Sequence, residues 1–351
     1  MRSSNRRRTL AVTAGGAIVA ALAWLPLGSA SAGVHNTFSV GGSSQSDYTG
    51  TVGPNICQVT AGSTSVSTTP ITFSSGTRSQ SASLSTTFTS TASSADVTSV
   101  SGHYQGSLTV ATHRGDLAGF TMGGSGSLAI TRALGAATQC DTSAVMGVTS
   151  MTDFTESRAG WLYVTRDTTK PAETIFIAVD NTHQRVVVFD EFFGAASRAT
   201  ERGFMSPGLF TIPEWIVAVT AGNAGGIVLR SGGGTVDRSS LDSQMTGTFY
   251  GAGSAYGGVK GSAGRFVRFP AAVSCSHHTA TLTWKSGASK VAGGSFFVNG
   301  KKKGSVSHPR PGRHVVLRHL GGTADNRISV RISLDGGGRA TAARAYVPCK
   351  G

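Results

Sequence analysis

Serine, histidine and acidic residues recur in combinations along this 351-residue chain that could support several chemistries. His103, His113 and Asp116 lie close together among many serines, the residue types of a Ser-His-Asp hydrolase. Such a nucleophile sits in a local signature, and none is present: Gly123-Gly124-Ser125-Gly126-Ser127 has serine where a G-x-S-x-G turn needs its last glycine. Asp153 with Glu156, and Asp190 with Glu191, are candidate carboxylate pairs for glycoside hydrolysis, a reaction that needs two acids about 5–10 Å apart in a cleft. Spacing alone reads them as acids at strand ends. Asp180-Asn181-Thr182-His183 reads as a turn between strands and not as a metal site. His277 and His278 read as extended neighbours whose side chains diverge to opposite faces. The sequence has no H-E-x-x-H, phosphate-binding loop or G-x-G-x-x-G pattern. No cofactor or metal is expected.

The remaining candidate site is basic: Lys301, Lys302, Lys303, Arg313, Arg318 and Arg331. It falls where the charge is concentrated. The chain has 31 Lys+Arg against 17 Asp+Glu, a net of +14. Residues 33–274 come to −1, whereas 275–351 carry 13 basic residues against Asp325 and Asp335, and five of the nine histidines. That asymmetry points to an anionic partner, through charge-assisted hydrogen bonds to a cell-wall polymer or acidic polysaccharide. Solubilisation of a β-rich module is the plainer reading of the same charge. Nucleic acid is not expected, because aromatic residues for base stacking are not interleaved with the charge.

The first 32 residues read as a secretory signal: Arg2 and Arg6-Arg7-Arg8, an apolar stretch over Leu10–Leu27, and Ala30-Ser31-Ala32 before Gly33. No second apolar run is long enough to span a bilayer, so no stable membrane span is expected after cleavage, and a secreted, extracellular or wall-associated product is. In that compartment four cysteines read as two disulfides, for which three pairings exist. Cys275 and Cys349 bracket the basic segment, which leaves Cys57 with Cys140.

The elements that must position these residues are strands. Gly, Ser and Thr are abundant, and β-branched and Ser/Thr-rich runs recur between glycine clusters without a sustained helical period. The expected fold class is all-β, as tandem β-sandwiches. The expected divisions are a signal peptide over 1–32, a Ser/Thr-rich sandwich over 33–155, and a second sandwich over 156–260, or one sandwich built from both. A linker over 261–274 and a basic module over 275–351 complete the chain. Expected strands in the first part include Ile71–Phe73, Ser83–Thr89, Ser107–Ala111, Gly126–Thr131 and Ala144–Thr149. In the second they include Trp161–Val164, Thr174–Val179, Arg185–Phe189, Ile216–Val219 and Ile227–Leu229. Phe204–Ile212 reads as two strands about a Pro207-Gly208 turn, and this stretch resembles the jelly-roll-like sandwiches found beside secreted enzymes.

The closing module carries a more specific resemblance. Ser295–Val298 runs into Asn299-Gly300 and Lys301-Lys302-Lys303, a strand and type I′ hairpin turn. Pro311–Leu317, the alternating strand Ile328–Leu334, Asp335–Gly338 and Tyr346–Cys349 follow. These residues look like the bacterial immunoglobulin-like modules that end many actinobacterial exported proteins. The resemblance implies an immunoglobulin-like sandwich and an exported location, and is nearly silent on activity. Trp284 is expected in the core with Leu282 and Ala280. The functional expectation is a non-enzymatic binding or structural protein of the envelope or extracellular space, with docking on anionic wall polymers as the candidate role of its basic module. The competing class is a secreted hydrolase of polysaccharide or ester substrates with its site within 33–260.

Overall fold

A computed structural model describes residues 33–48, 57–91, 93–132, 140–168, 172–194, 197–220 and 236–351. The signal-like segment 1–32 and the expected strand Ile227–Leu229 lie outside the described residues. Among the described residues there is no α-helix, and the protein is all-β.

The first strands in chain order are β1 (His35–Tyr48), β2 (Cys57–Gly62), β3 (Ser65–Ser67), β4 (Ile71–Phe73), β5 (Gly76–Ser90) and β6 (Ser93–His113). Then come β7 (Asp116–Arg132), β8 (Cys140–Glu156), β9 (Gly160–Thr168), β10 (Ala172–Asp180) and β11 (Arg185–Gly194). The series continues with β12 (Ser197–Met205), β13 (Gly208–Thr220), β14 (Val236–Gly251), β15 (Ala255–Lys260) and β16 (Val267–Arg268). It closes with β17 (Ala280–Trp284), β18 (Val291–Val298), β19 (Lys301–Ser307), β20 (His314–Leu317), β21 (Asn326–Leu334) and β22 (Arg339–Tyr346).

The chain divides into two compact units. One holds the described residues up to Thr155 with Val164–Glu201 and Gly208–Gly247; the other holds Glu156–Tyr163, Arg202–Pro207 and Thr248–Gly351.

The first unit is built on two seven-stranded sheets, β11-β10-β13-β8-β1-β3 with β4 on β1, and β12-β9-β14-β7-β6-β5-β2. Each sheet joins a block of strands from before residue 155 (β8-β1-β3 and β7-β6-β5-β2) to a block from after it (β11-β10-β13 and β12-β9-β14), so 33–155 and 156–260 do not separate into sheets of their own. Period-two alternation does the sorting. Leu84 and Phe88 on β5 and Leu108 and Val110 on β6 face inward, as their even spacing requires. Across the sandwich Phe120 on β7 stacks on Phe176 of β10 with centroids 5.7 Å apart. The two strands expected over Leu209–Ile212 and Ile216–Val219 are one continuous β13. Its register with β10 skips Ile212 and Pro213, where proline has no N–H to give the ladder.

The second unit contains a five-stranded sheet, β15-β22-β21-β18-β19, and a three-stranded sheet, β16-β17-β20. Their inward faces share one core that includes Trp284, Leu282, Ala280, Phe296, Ile328, Val330 and Tyr346. Trp284 is 1% exposed and meets Phe296 edge to face at 5.8 Å. Cys275 and Cys349 are joined. Cys57 is disulfide-bonded as well, while the side chain of its expected partner Cys140 lies outside the described residues.

Residues 261–274 are not a linker. Ala263, Phe266, Val267, Phe269 and Val273 are buried in the core of the second unit, and Val267–Arg268 pairs with β17. The glycine and serine content that suggested a linker conceals apolar residues spaced to reach one core. The Asn299-Gly300 turn has the expected form, with φ of 50° and 80°, the double positive φ of type I′.

Candidate functional site

The six basic residues singled out from the sequence separate onto two sheets. Arg313 and Arg318 flank β20, the edge of the three-stranded sheet. Lys301, Lys302 and Lys303 open β19, the edge of the five-stranded sheet, and Arg331 lies on β21. Lysine on an edge strand has an architectural use of its own, since charge there discourages pairing with another chain. A bulge splits the three lysines: Phe297 pairs with Lys302 and Phe296 with Gly304, so Lys303 is the extra residue.

Strand register brings Lys302 and Arg331 onto one solvent face. Paired residues share a face in an antiparallel sheet, so the outward side chains form rows across the strands. One row runs Lys302, Phe297, Ser329 and Ala343. The next runs Ser305, Ser295, Arg331 and Thr341, and the third Ser307, Gly293, Ser333 and Arg339. At about 4.8 Å per strand, each four-residue row is roughly 14 Å long. The second and third rows line a shallow, open groove of about 560 Å³. Its floor dips at Gly293, where a Cβ would find its nearest neighbours at 3.5 Å.

The electrostatics of this face are one-sided. Arg331, Arg339 and Lys302 are exposed, and the ion pairs formed among the described residues use Arg166, His183, Arg185, Arg198 and Arg202 instead. The Arg331 guanidinium lies 4.8 Å from the Phe297 ring centroid. Stacking of this kind engages the flat face of the guanidinium and leaves its in-plane N–H groups for an anion. Arg339 escaped the sequence reading because it follows the Asp335–Gly338 turn. The hairpin register that sets it opposite Ser333 was the signal that could have found it.

The second unit also holds an aromatic cluster that composition did not suggest. Tyr163, Tyr250 and Tyr256 lie with centroids 5.3, 5.6 and 6.1 Å apart, and Trp161 meets Phe204 at 5.4 Å. Arg202 donates to the Tyr163 hydroxyl and to Asp325 at 2.6 Å each, and the Tyr256 hydroxyl donates to Asp325 at 3.0 Å. Trp161 Nε1 donates to the Pro348 carbonyl. Burial, followed by the hydrogen bond to Asp325, pushes the Tyr256 phenol up to about 12. The groups in this cluster bond to one another, which makes it a clasp holding the Asp325 loop.

The histidine candidates do not converge, and the side chain of Glu191 lies outside the described residues. His103 bonds Ser83 at 3.1 Å on an exposed sheet face. His113 and Asp116 pair across the β6–β7 turn, ten residues along the same strand from His103 and so roughly 33 Å away. Asp190 is held by Arg166 at 3.0 Å, with both side chains largely buried, and Asp153 accepts from Thr211 at 2.5 Å. Asp180 closes a turn, as expected, accepting from the backbone and ring of His183 and from Arg185. His277 and His278 are in a turn and not in an extended segment, with φ of 51° at His278, and His277 bonds Ser274 and Ser276. Among the described residues no group of three or more His, Cys, Asp or Glu is placed to hold a metal. No helix among them is long and apolar enough to cross a membrane.

Fold and surface together define an all-β protein of tandem sandwiches with an exposed, basic, hydroxyl-lined sheet face. No family model and no curated protein matches the chain. Among solved structures it is similar to the adhesin domain of Epf from Streptococcus pyogenes, with 11% identity over 68% of this chain and 82% of that one, at a TM-score of 0.18. It is also similar to the C-terminal CBM6 of LamC, a marine laminarinase from Zobellia galactanivorans. There the identity is 9%, over 29% of this chain and 78% of that one, at a TM-score of 0.15. Likeness at these scores carries no argument about activity.

Proposed function

We propose that this is an exported, non-enzymatic binding protein whose basic C-terminal unit docks on anionic polymers of the cell envelope or its surroundings. The observation that carries this reading is the outer face of the five-stranded sheet, where Arg331 and Arg339 line an open groove and Lys302 stands exposed in the adjoining row. Arginine without an acidic partner, beside hydroxyls, offers fixed donors to carboxylate or phosphate. Of the two acids within 275–351, Asp325 is already engaged by Arg202 and Tyr256. The disulfide between Cys275 and Cys349 suits an oxidising, extracellular compartment.

The test is retention of the protein on isolated cell walls and on immobilised acidic polysaccharide, followed across a salt gradient. Binding should weaken steeply between low and physiological ionic strength as screening shortens to about 8 Å. The triple substitution Lys302→Ala, Arg331→Ala and Arg339→Ala should abolish it without lowering the melting temperature. Equal retention of the wild type and the triple variant would refute the docking face.

A further inference from the structure

We infer that the groove on the five-stranded sheet is a subsite for a carboxylate-bearing polysaccharide, a chain of uronic acid residues lying across β22, β21, β18 and β19. The inference rests on the anion-docking reading above and adds a ligand class to it.

Arginine by itself does not choose between anions, since its fork matches carboxylate and phosphate alike. The hydroxyls between the arginines do discriminate. Arg331 has Ser295 and Thr341 on its two sides in one row, and Arg339 has Ser333 beside it in the next. A serine or threonine hydroxyl both donates and accepts. A sugar chain, whose own hydroxyls donate and accept, can satisfy such a row, whereas a polyphosphate backbone presents acceptors alone. Ser333 Oγ donates to the Gly293 carbonyl at 3.4 Å and keeps its lone pairs for a donor from the ligand.

Two adjacent glycines separate the groove from the core. Gly294 faces inward, where a Cβ would come within 2.8 Å of the Trp284 ring. Gly293 faces outward in the third row, where an added Cβ makes only ordinary contacts at 3.5 Å, with Ser333 Oγ and the Val306 carbonyl. A side chain at 293 would therefore obstruct the groove between Ser307 and Ser333 without disturbing the packing beneath. The two guanidiniums occupy neighbouring rows on adjacent strands, so a chain crossing the sheet meets charge over β22 and β21 and serine hydroxyls over β18 and β19. The groove's open form suits a polymer that enters and leaves along its length.

The experiment uses the whole mature protein and three probes: oligogalacturonate, the corresponding neutral oligogalactose, and inorganic polyphosphate of similar length. Binding is measured by calorimetry for the wild type, Gly293→Val and Arg331→Lys. Near-ultraviolet circular dichroism confirms that the fold is retained. Oligogalacturonate should bind at least tenfold more tightly than either other probe. Gly293→Val should weaken it roughly tenfold or more, as should Arg331→Lys, which keeps the charge and loses the fork, a loss of about one charge-assisted hydrogen bond. Polyphosphate binding should fall by a similar factor in Arg331→Lys, because the fork serves phosphate as well as carboxylate. Equal affinity for oligogalacturonate and polyphosphate, with neither altered by Gly293→Val, would overturn the uronate assignment and leave the docking reading standing. Equal affinity for the neutral chain would also overturn it. Failure of every probe to bind would overturn both.

Discussion

Gly293 and Gly294 show how much one residue's facing direction decides. Both would be read from sequence as a weak point in a strand, yet one keeps the groove open and the other makes room for Trp284. Gly294→Ala sets a methyl 2.8 Å from the indole, which is fully buried and meets Phe296 edge to face. Chemical denaturation should show a loss of about 1–3 kcal/mol, the usual effect of overpacking. Gly293→Ala should stay within about 0.5 kcal/mol of wild type, as exposed substitutions do. Tyr256 offers a second residue-scale test. Its phenol titrates at about 12 because burial and the Asp325 carboxylate both oppose the phenolate. A raised pKa means that this stabilisation is complete below the ordinary tyrosine value of 10 and is lost as pH rises through about 12. Ultraviolet difference titration should find this late-titrating tyrosine in the wild type and an earlier one in Asp325→Ala. No shift between the two would mean that Asp325 does not govern it.

Among the elements, β18 does the most to join core and surface. It pairs with β19 through the Asn299-Gly300 turn and with β21 on its other side, so its register sets every row of the outer face. Asn299 contributes more than a turn conformation. Its side chain donates to the Asp325 carbonyl and accepts from the Arg327 N–H, fixing where β21 begins. The Cys275–Cys349 bridge ties the approach to β17 to the segment after β22, a separation of 74 residues. Closing a loop of that length stabilises by about 4 kcal/mol on the chain-entropy model. Cys275→Ser with Cys349→Ser should therefore lower the unfolding free energy by an amount of that order, read from the denaturant midpoint. An unchanged midpoint would show that the strands alone restrain the chain ends.

At the scale of the whole molecule, the second unit is larger than the cysteine brackets suggest. It draws on Glu156–Tyr163 and Arg202–Pro207, far upstream, and on everything from Thr248. Phe266, Val267, Phe269 and Val273 precede Cys275 and belong to its core, and β15 pairs with β22. A fragment beginning at Cys275 should consequently show a shallow, non-cooperative melt and a weak near-ultraviolet signal from Trp284. One beginning at Thr248 should recover much of both. A cooperative melt from the shorter fragment would make the upstream residues accessory. The concentration of positive charge in this unit is a property of the whole chain, and it places any anion-dependent behaviour here.

Much of this was legible from residue order because period-two alternation, Asn-Gly turn chemistry and charge are local properties. Strands such as Ile71–Phe73 and Ile328–Leu334, the type I′ hairpin and the burial of Trp284 all follow from residues near one another in the chain. The linker reading of 261–274 failed for the complementary reason. Its glycines and serines are local, while the use of Phe266 and Phe269 depends on a core completed by strands that come later. The six basic residues met the same limit. Their types and the charge they share could be read directly, but Arg313 and Arg318 fell on one sheet and Lys302 and Arg331 on another. Sequence by itself determined that this is an all-β chain with its positive charge gathered at the C-terminal end. Only the tertiary structure decided which charges share a face, because cross-strand register is set by long-range hydrogen bonding between strands that the sequence keeps apart.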